Sequence, residues 1–84
     1  MNYEILLHKK AQKFFNKLDN SIKKLISIKI DKLKLNPELG KPLVGNLSGL
    51  RSLRVEKYRV LYEIKKSQLI IYVLEMGHRK DVYD

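Results

Sequence analysis

The chain has 84 residues and carries 18 lysines and arginines against nine acidic residues, a net charge of +9. Its length and its 44% hydrophobic content predict one small domain over residues 1–84 with a modest core, and exclude a disordered protein. The absence of cysteine excludes disulfides, thiolate metal sites and cysteine nucleophiles. The positive charge favours a nucleic acid as the partner and an acidic protein as the second choice, and the alternative is that the charge only keeps the protein soluble.

The N-terminal part predicts a strand followed by two helices. Residues 3–7 form an apolar segment suited to a strand and too short for a signal peptide or a membrane span, so we expect a cytoplasmic protein without a membrane partner. Residues 19–21 offer an N-cap for the second helix, and Asn36-Pro37 ends it, so the short connection predicts an antiparallel helical hairpin. The apolar faces are Ala11, Phe14, Phe15 and Leu18 on the first helix, and Ile22, Leu25, Ile26, Ile30 and Leu33 on the second.

The C-terminal part predicts a loop and three strands. Residues 36–49 hold both prolines and three of the four glycines, without the spacing of a phosphate-binding loop. Residues 53–64 alternate apolar and polar as two strands joined at Glu56-Lys57, and residues 69–76 are nearly all apolar, as in a central strand. We therefore predict an α+β fold of order β-α-α-β-β-β, with the helical hairpin on one face of an antiparallel sheet.

The open face of this sheet is predicted to bind an anion. If Glu56 and Lys57 fill a two-residue turn, Arg54 lies beside Arg59, and such like charges cost stability unless an anion lies between them. A longer turn would shift the pairing by one residue and separate the two arginines. With Lys66-Ser67 at the centre of the next turn, Ile64 lies opposite Leu69. This register places an apolar patch beside the arginines, formed by Leu61, Ile70, Tyr72 and Leu74. Either a partner or the chain's own loop or C-terminus would cover this patch.

Two segments, YRVLYEI at residues 58–64 and GHRKDVY at residues 77–83, carry a family resemblance. In this order and on this length, nearly the whole chain resembles the RelE/ParE superfamily of bacterial and archaeal toxins from toxin–antitoxin pairs. The resemblance implies one of two activities, because RelE-like members cut messenger RNA in the ribosomal A site and ParE-like members poison DNA gyrase. It also implies a cognate antitoxin that holds the toxin in a hetero-oligomer.

Four residues match the site of the cutting members. Arg54 and Arg59 match basic residues of the sheet face, and Arg79 and Tyr83 match a C-terminal arginine and tyrosine. The presence of the last two favours cleavage over gyrase inhibition. Ser52 stands where a lysine is common among the cutters, which leaves the proton-abstracting group open and keeps a third alternative, a member that only binds its antitoxin.

Metal-free RNA cleavage, in which the 2′-hydroxyl attacks the neighbouring phosphate, needs a base, an acid and cations around the phosphate. Arg54 and Arg59 suit the last task, with an ion pair of Arg59 to Glu63 or Asp81 as the alternative. Tyr83 suits stacking on a base, since a phenol is a poor base at neutral pH.

His78 is a candidate general acid or base, or a strand-end histidine that merely forms hydrogen bonds. No cluster of histidines or carboxylates indicates a metal or another cofactor. We therefore expect a cofactor-free endoribonuclease, with the ribosome, messenger RNA and an antitoxin as partners.

Overall fold

In the computed structural model, which describes residues 2–80, two helices pack on a five-stranded mixed sheet. The predicted order of one strand, two helices and three strands is confirmed, and a further two-residue strand lies in the predicted loop. The predicted Tyr83 lies outside the described residues. The elements are β1 Glu4–Leu7, α1 Lys9–Asn16, α2 Asn20–Asp31, β2 Lys41–Pro42, β3 Leu50–Val55, β4 Tyr58–Lys65 and β5 Ile70–His78.

The strands lie in the order β1-β5-β4-β3-β2. Strands β2 to β5 pair antiparallel, but β1 pairs parallel to β5, so the prediction of a purely antiparallel sheet is wrong. The last strand lies between the first strand and β4, so the apolar run predicted for a central strand does belong to an interior strand of the sheet.

The core lies between the helices and one face of the sheet. The predicted helical positions Ala11, Ile26, Ile30 and Leu33 are all buried. Leu25 is 44% exposed, so its predicted place in the core is wrong: α2 turns Ile26 and Ile30 inward and leaves Leu25 toward solvent. The strands contribute Leu53, Val55, Tyr58, Val60, Tyr62, Ile71, Val73 and Met76.

The turn between β3 and β4 has the predicted two residues. Arg54 pairs with Arg59 and Val55 with Tyr58, as the alternation indicated. Glu56 accommodates the reversal with a left-handed backbone, φ 54°, a conformation that costs a residue other than glycine about 1 kcal/mol.

The connection between β4 and β5 is longer than predicted. A single 3₁₀ turn, Lys66–Gln68, and a left-handed Leu69 pair Ile64 with Ile71, so the expected pairing with Leu69 is wrong by two residues. A two-residue shift keeps every side chain on its predicted face. A β-bulge further along does change the faces, because Leu61 pairs with Glu75 while the next residue, Tyr62, pairs with Val73.

The loop before β2 is anchored to the sheet by the buried side chain of Tyr62 and the partly exposed side chain of Arg51. The Tyr62 hydroxyl accepts a hydrogen bond from the Gly40 amide (2.9 Å) and donates one to the Pro37 carbonyl (2.6 Å). The Arg51 guanidinium donates to the carbonyls of Gly40 (2.6 Å) and Glu38 (3.2 Å). Burial raises the pKa of the Tyr62 hydroxyl above its ordinary value, so the neutral form that donates to Pro37 is favoured.

Candidate anion-binding site

Arginine side chains gather at the end of the sheet formed by the β3–β4 turn. Arg54 pairs with Arg59, and Arg59 pairs on its other side with Gly77, which places no side chain in the row. Arg79 follows Gly77 by two residues, and its backbone amide donates to the Lys57 carbonyl of the turn (3.0 Å). The structure therefore brings three of the predicted site residues to one end of the molecule.

Arg59 is the most firmly held of the three arginines. Its guanidinium donates through Nη1 to the Ser52 hydroxyl (3.1 Å), and Ser52 is itself buried. Ser52 lies diagonally across the strand pair, on the same face as both arginines. The Ser52 hydroxyl thus orients the Arg59 guanidinium. Glu63, a predicted alternative partner of Arg59, forms its ion pair with Lys65 (3.6 Å).

The apolar patch predicted beside the arginines is smaller than expected. Leu61, paired with Ser52, is only 5% exposed. Ile70, Tyr72 and Leu74 are partly exposed. The open face is therefore a charged end joined to a narrow apolar strip.

A charged cleft of about 670 Å³ lies at the tip of the β3–β4 hairpin. Five residues line it, and all five are charged: Lys29, Arg54, Glu56, Lys57 and Arg79. Within residues 2–80, none of its four cations takes part in an ion pair. Such a concentration of positive charge is unfavourable by itself and is relieved when an anion binds.

Two members of this cleft, Lys29 and Lys57, were not among the predicted site residues. Lys57 stands in the predicted turn and could have been included on that ground. Lys29 lies on α2, and only the packing of the helix on the sheet brings it to the hairpin.

His78 lies on the other face of the sheet. It pairs with Tyr58, and its ring centroid lies 5.0 Å from that of Tyr58 and 6.3 Å from that of Phe14 on α1. His78, the candidate general acid or base, therefore lies on the opposite face of the sheet from Arg54 and Arg59. The reason is the bulge, which places Met76 and His78 on the helix side and Gly77 on the arginine side.

The described part of the chain contains neither a candidate metal site nor a candidate membrane-spanning helix. Residues 2–80 contain no group of three or more histidine and carboxylate side chains arranged to hold a metal ion. Over the same residues, neither helix has the length and apolar character that crossing a bilayer requires.

Comparisons with known proteins all identify similar chains that are toxins of the RelE or ParE type. Residues 5–83 match the family described as ParE toxin of type II toxin–antitoxin system, parDE. A protein of Escherichia coli named as a RelE-like toxin is 31% identical over 91 residues, which span 100% of this chain and 93% of that protein. Toxin RelG of Mycobacterium tuberculosis is 40% identical over 45 residues, 54% of this chain and 52% of RelG. The toxin–antitoxin complex RelBE2 of Mycobacterium tuberculosis contains a similar chain, with a TM-score of 0.83, 28% identity, and coverage of 94% of this chain and 100% of that one.

Proposed function

The chain belongs to the ParE toxin family of type II toxin–antitoxin systems, within the RelE/ParE superfamily, and on this premise we propose that it cleaves messenger RNA on the ribosome. The observation that carries the proposal is the row of Arg54 beside Arg59, with Arg79 at the same end of the sheet. Arginine suits a phosphodiester because its planar fork binds two phosphate oxygens and stays charged.

The proposed reaction is a transesterification that requires no cofactor. The 2′-oxygen forms a bond to the adjacent phosphorus and loses its proton to a base, while the bond to the 5′-oxygen breaks and that oxygen takes up a proton. Negative charge grows on the phosphate oxygens, where Arg54, Arg59 and Arg79 stabilise it. Ser52 holds the Arg59 guanidinium in place beforehand, which lowers the cost of arranging it during the reaction.

Two predicted residues have different places in this proposal. Tyr83, outside the described residues, stays proposed as the side chain that stacks on a splayed base. His78 packs on the helix side of the sheet, so we leave it out of the phosphate site. The ribosome is then the expected source of further groups that position the substrate.

A cognate antitoxin is the second proposed partner, since the similar mycobacterial chain was solved in a toxin–antitoxin complex. Leu25 and Ile28 lie one turn apart on the outer side of α2, and Leu35 follows beyond it, all well exposed. Exposed apolar side chains on a chain of charge +9 suit an amphipathic, partly acidic segment. We therefore propose a hetero-oligomer in which the antitoxin covers these side chains.

The test is toeprinting of a translated message with purified ribosomes. Wild-type protein is expected to produce new message ends, and Arg59→Ala to reduce their rate of appearance about 100-fold, the effect of removing one preorganised donor. Lys32→Gln, which removes an exposed charge that does not line the cleft, is the control. Undiminished cleavage by Arg59→Ala, or no cleavage by the wild type, would contradict the proposal.

Gyrase inhibition is the alternative, and the ParE description of the matching family favours it. A supercoiling assay with purified gyrase separates the two activities. Inhibition of supercoiling with the message left intact would select this alternative.

A further inference from the structure

We propose that Lys29 and Lys57 bind the phosphate next to the scissile one, so that the RNA strand passes over the tip of the β3–β4 hairpin toward α2. The inference rests on the proposed cleavage of RNA and adds a second phosphate subsite to it. The subsite is the charged cleft, which Arg54 and Arg79 line together with the two lysines.

The fold fixes the backbone positions of the two lysines. Lys29 lies three residues after Ile26 and one before Ile30, both buried, so it emerges at the side of α2 that borders the sheet, and it is only partly exposed. Its alkyl chain can cover apolar surface while the ammonium group reaches into the cleft. Lys57 is held by its backbone, because its carbonyl accepts the Arg79 amide.

The charge of the cleft indicates what it binds. Four cations and one carboxylate line it, and within residues 2–80 no ion pair neutralises any of the four. The volume, about 670 Å³, is within the usual range for ligand sites and exceeds what a single phosphate group needs. A phosphate with its sugar, continuing from the arginine row, fits both the charge and the space.

The lining favours RNA over an acidic protein segment. Protein interfaces place apolar and aromatic side chains at their centre and are depleted there in charge. All the residues that line this cleft are charged, and four of the five are lysines or arginines, which commonly contact the phosphates of a nucleic acid. Neither Leu25 nor Ile28, the exposed apolar side chains of α2, lines the cleft.

Glu56 opposes the same ligand. It lines the cleft with a carboxylate, and its position in the turn keeps it there. A phosphate that enters the cleft is therefore repelled by Glu56 and attracted by its neighbours, so Glu56→Gln is expected to strengthen binding of the message.

The experiment measures cleavage rate against the concentration of ribosomes programmed with a message, at several salt concentrations. Lys29→Gln and Lys57→Gln are each expected to raise KM about fivefold with kcat unchanged, as for a partly exposed charged contact. The slope of log KM against log salt should fall by about one for each lost phosphate contact. Glu56→Gln should lower KM, and Lys32→Gln, which lies outside the cleft, should leave both parameters as in the wild type.

Three outcomes would overturn the inference. If the wild type cleaves and Lys29→Gln and Lys57→Gln match Lys32→Gln in KM and salt slope, the second subsite is absent while the proposed function stands. If the two variants retain wild-type cleavage kinetics but bind the antitoxin more weakly, the cleft serves a protein partner. If the wild type does not cleave, both proposals fail, and thermal melts of every variant establish that the proteins are folded.

Discussion

Two arginines of the same strand, three residues apart, have opposite surroundings. Arg51 lies on the side of β3 that carries Tyr62, and its guanidinium donates to the carbonyls of Gly40 and Glu38. Arg54 lies on the other face, is exposed, and forms no hydrogen bond or ion pair within residues 2–80.

The difference separates a cation whose task is to support the fold from an exposed cation whose task, as we propose, is to bind a ligand. A guanidinium whose donors are satisfied by backbone carbonyls holds a loop in place. A guanidinium beside another like charge weakens the fold and is available to an anion. The strand alternation separates the two tasks, because residues an odd number apart point to opposite faces.

The largest expected effect is on activity at the open face. Arg54→Ala should lower the rate of message cleavage about 100-fold, because it removes a donor from the phosphate site. The free energy of unfolding should not fall, since the variant also removes the repulsion with Arg59. Toeprinting measures the rate of cleavage, and urea denaturation measures the free energy of unfolding. A clear fall in the free energy of unfolding of Arg54→Ala would contradict the contrast between the two arginines.

The next effect is on stability at the anchored loop. A methyl group at Gly40 would lie 2.7 Å from the Tyr62 ring and hydroxyl and 3.0 Å from the Ser52 carbonyl oxygen. Gly40→Ala should therefore displace Tyr62 and reduce the free energy of unfolding by about 1–3 kcal/mol. Gly45→Ala is a useful contrast, because that position has open space and a left-handed backbone, so its cost arises from φ alone. Equal stability of Gly40→Ala and the wild type in urea would contradict the close packing.

Arg51→Ala should lower the free energy of unfolding by about 1–2 kcal/mol, because it removes hydrogen bonds to two carbonyls from a partly exposed side chain. Cleavage by this variant should remain at the wild-type rate wherever the protein is folded. Thermal melting combined with toeprinting distinguishes it from Arg54→Ala, and a 100-fold loss of cleavage without loss of stability would give Arg51 the role assigned to Arg54.

Tyr62 gives the anchored loop a dependence on pH. Its pKa in the folded protein is raised above 10.0, so the stability of the neutral hydroxyl is fully present below pH 10 and is lost as the pH rises through the folded pKa. The free energy of unfolding of the wild type should therefore fall as the pH rises above 10. Tyr62→Phe should lack this pH-dependent loss. Urea denaturation at several pH values tests the difference, and parallel pH profiles would refute it.

The smallest expected effect concerns the turn itself. Glu56 has φ 54°, so Glu56→Gly should relieve about 1 kcal/mol of backbone strain, partly offset by the entropy of glycine in the unfolded chain. The loss of a carboxylate from the cleft should at the same time lower KM, as for Glu56→Gln. Melting temperature and cleavage kinetics of both variants separate the strain from the charge.

Much of the site follows from local pattern. Alternation along residues 53–64, together with the assumption of a two-residue turn, predicted the register and the pairing of Arg54 with Arg59, because side chains on a strand repeat every two residues. The order of elements followed from local pattern in the same way, whereas the family was recognised from the resemblance of the segments at residues 58–64 and 77–83. The exposure of Leu25 did not, since an apolar residue at a helical position can lie on either edge of a broad apolar stripe.

By itself, the sequence determined the two faces of the β3–β4 hairpin and the excess of positive charge on the molecule. The tertiary structure alone decided which C-terminal side chain joins the arginines, because a one-residue bulge in β5 places Gly77 on their face and His78 on the other. It also decided that β1 lies beside β5 and that Lys29 reaches the hairpin tip. These three outcomes depend on contacts between residues far apart in the chain, which local periodicity does not encode.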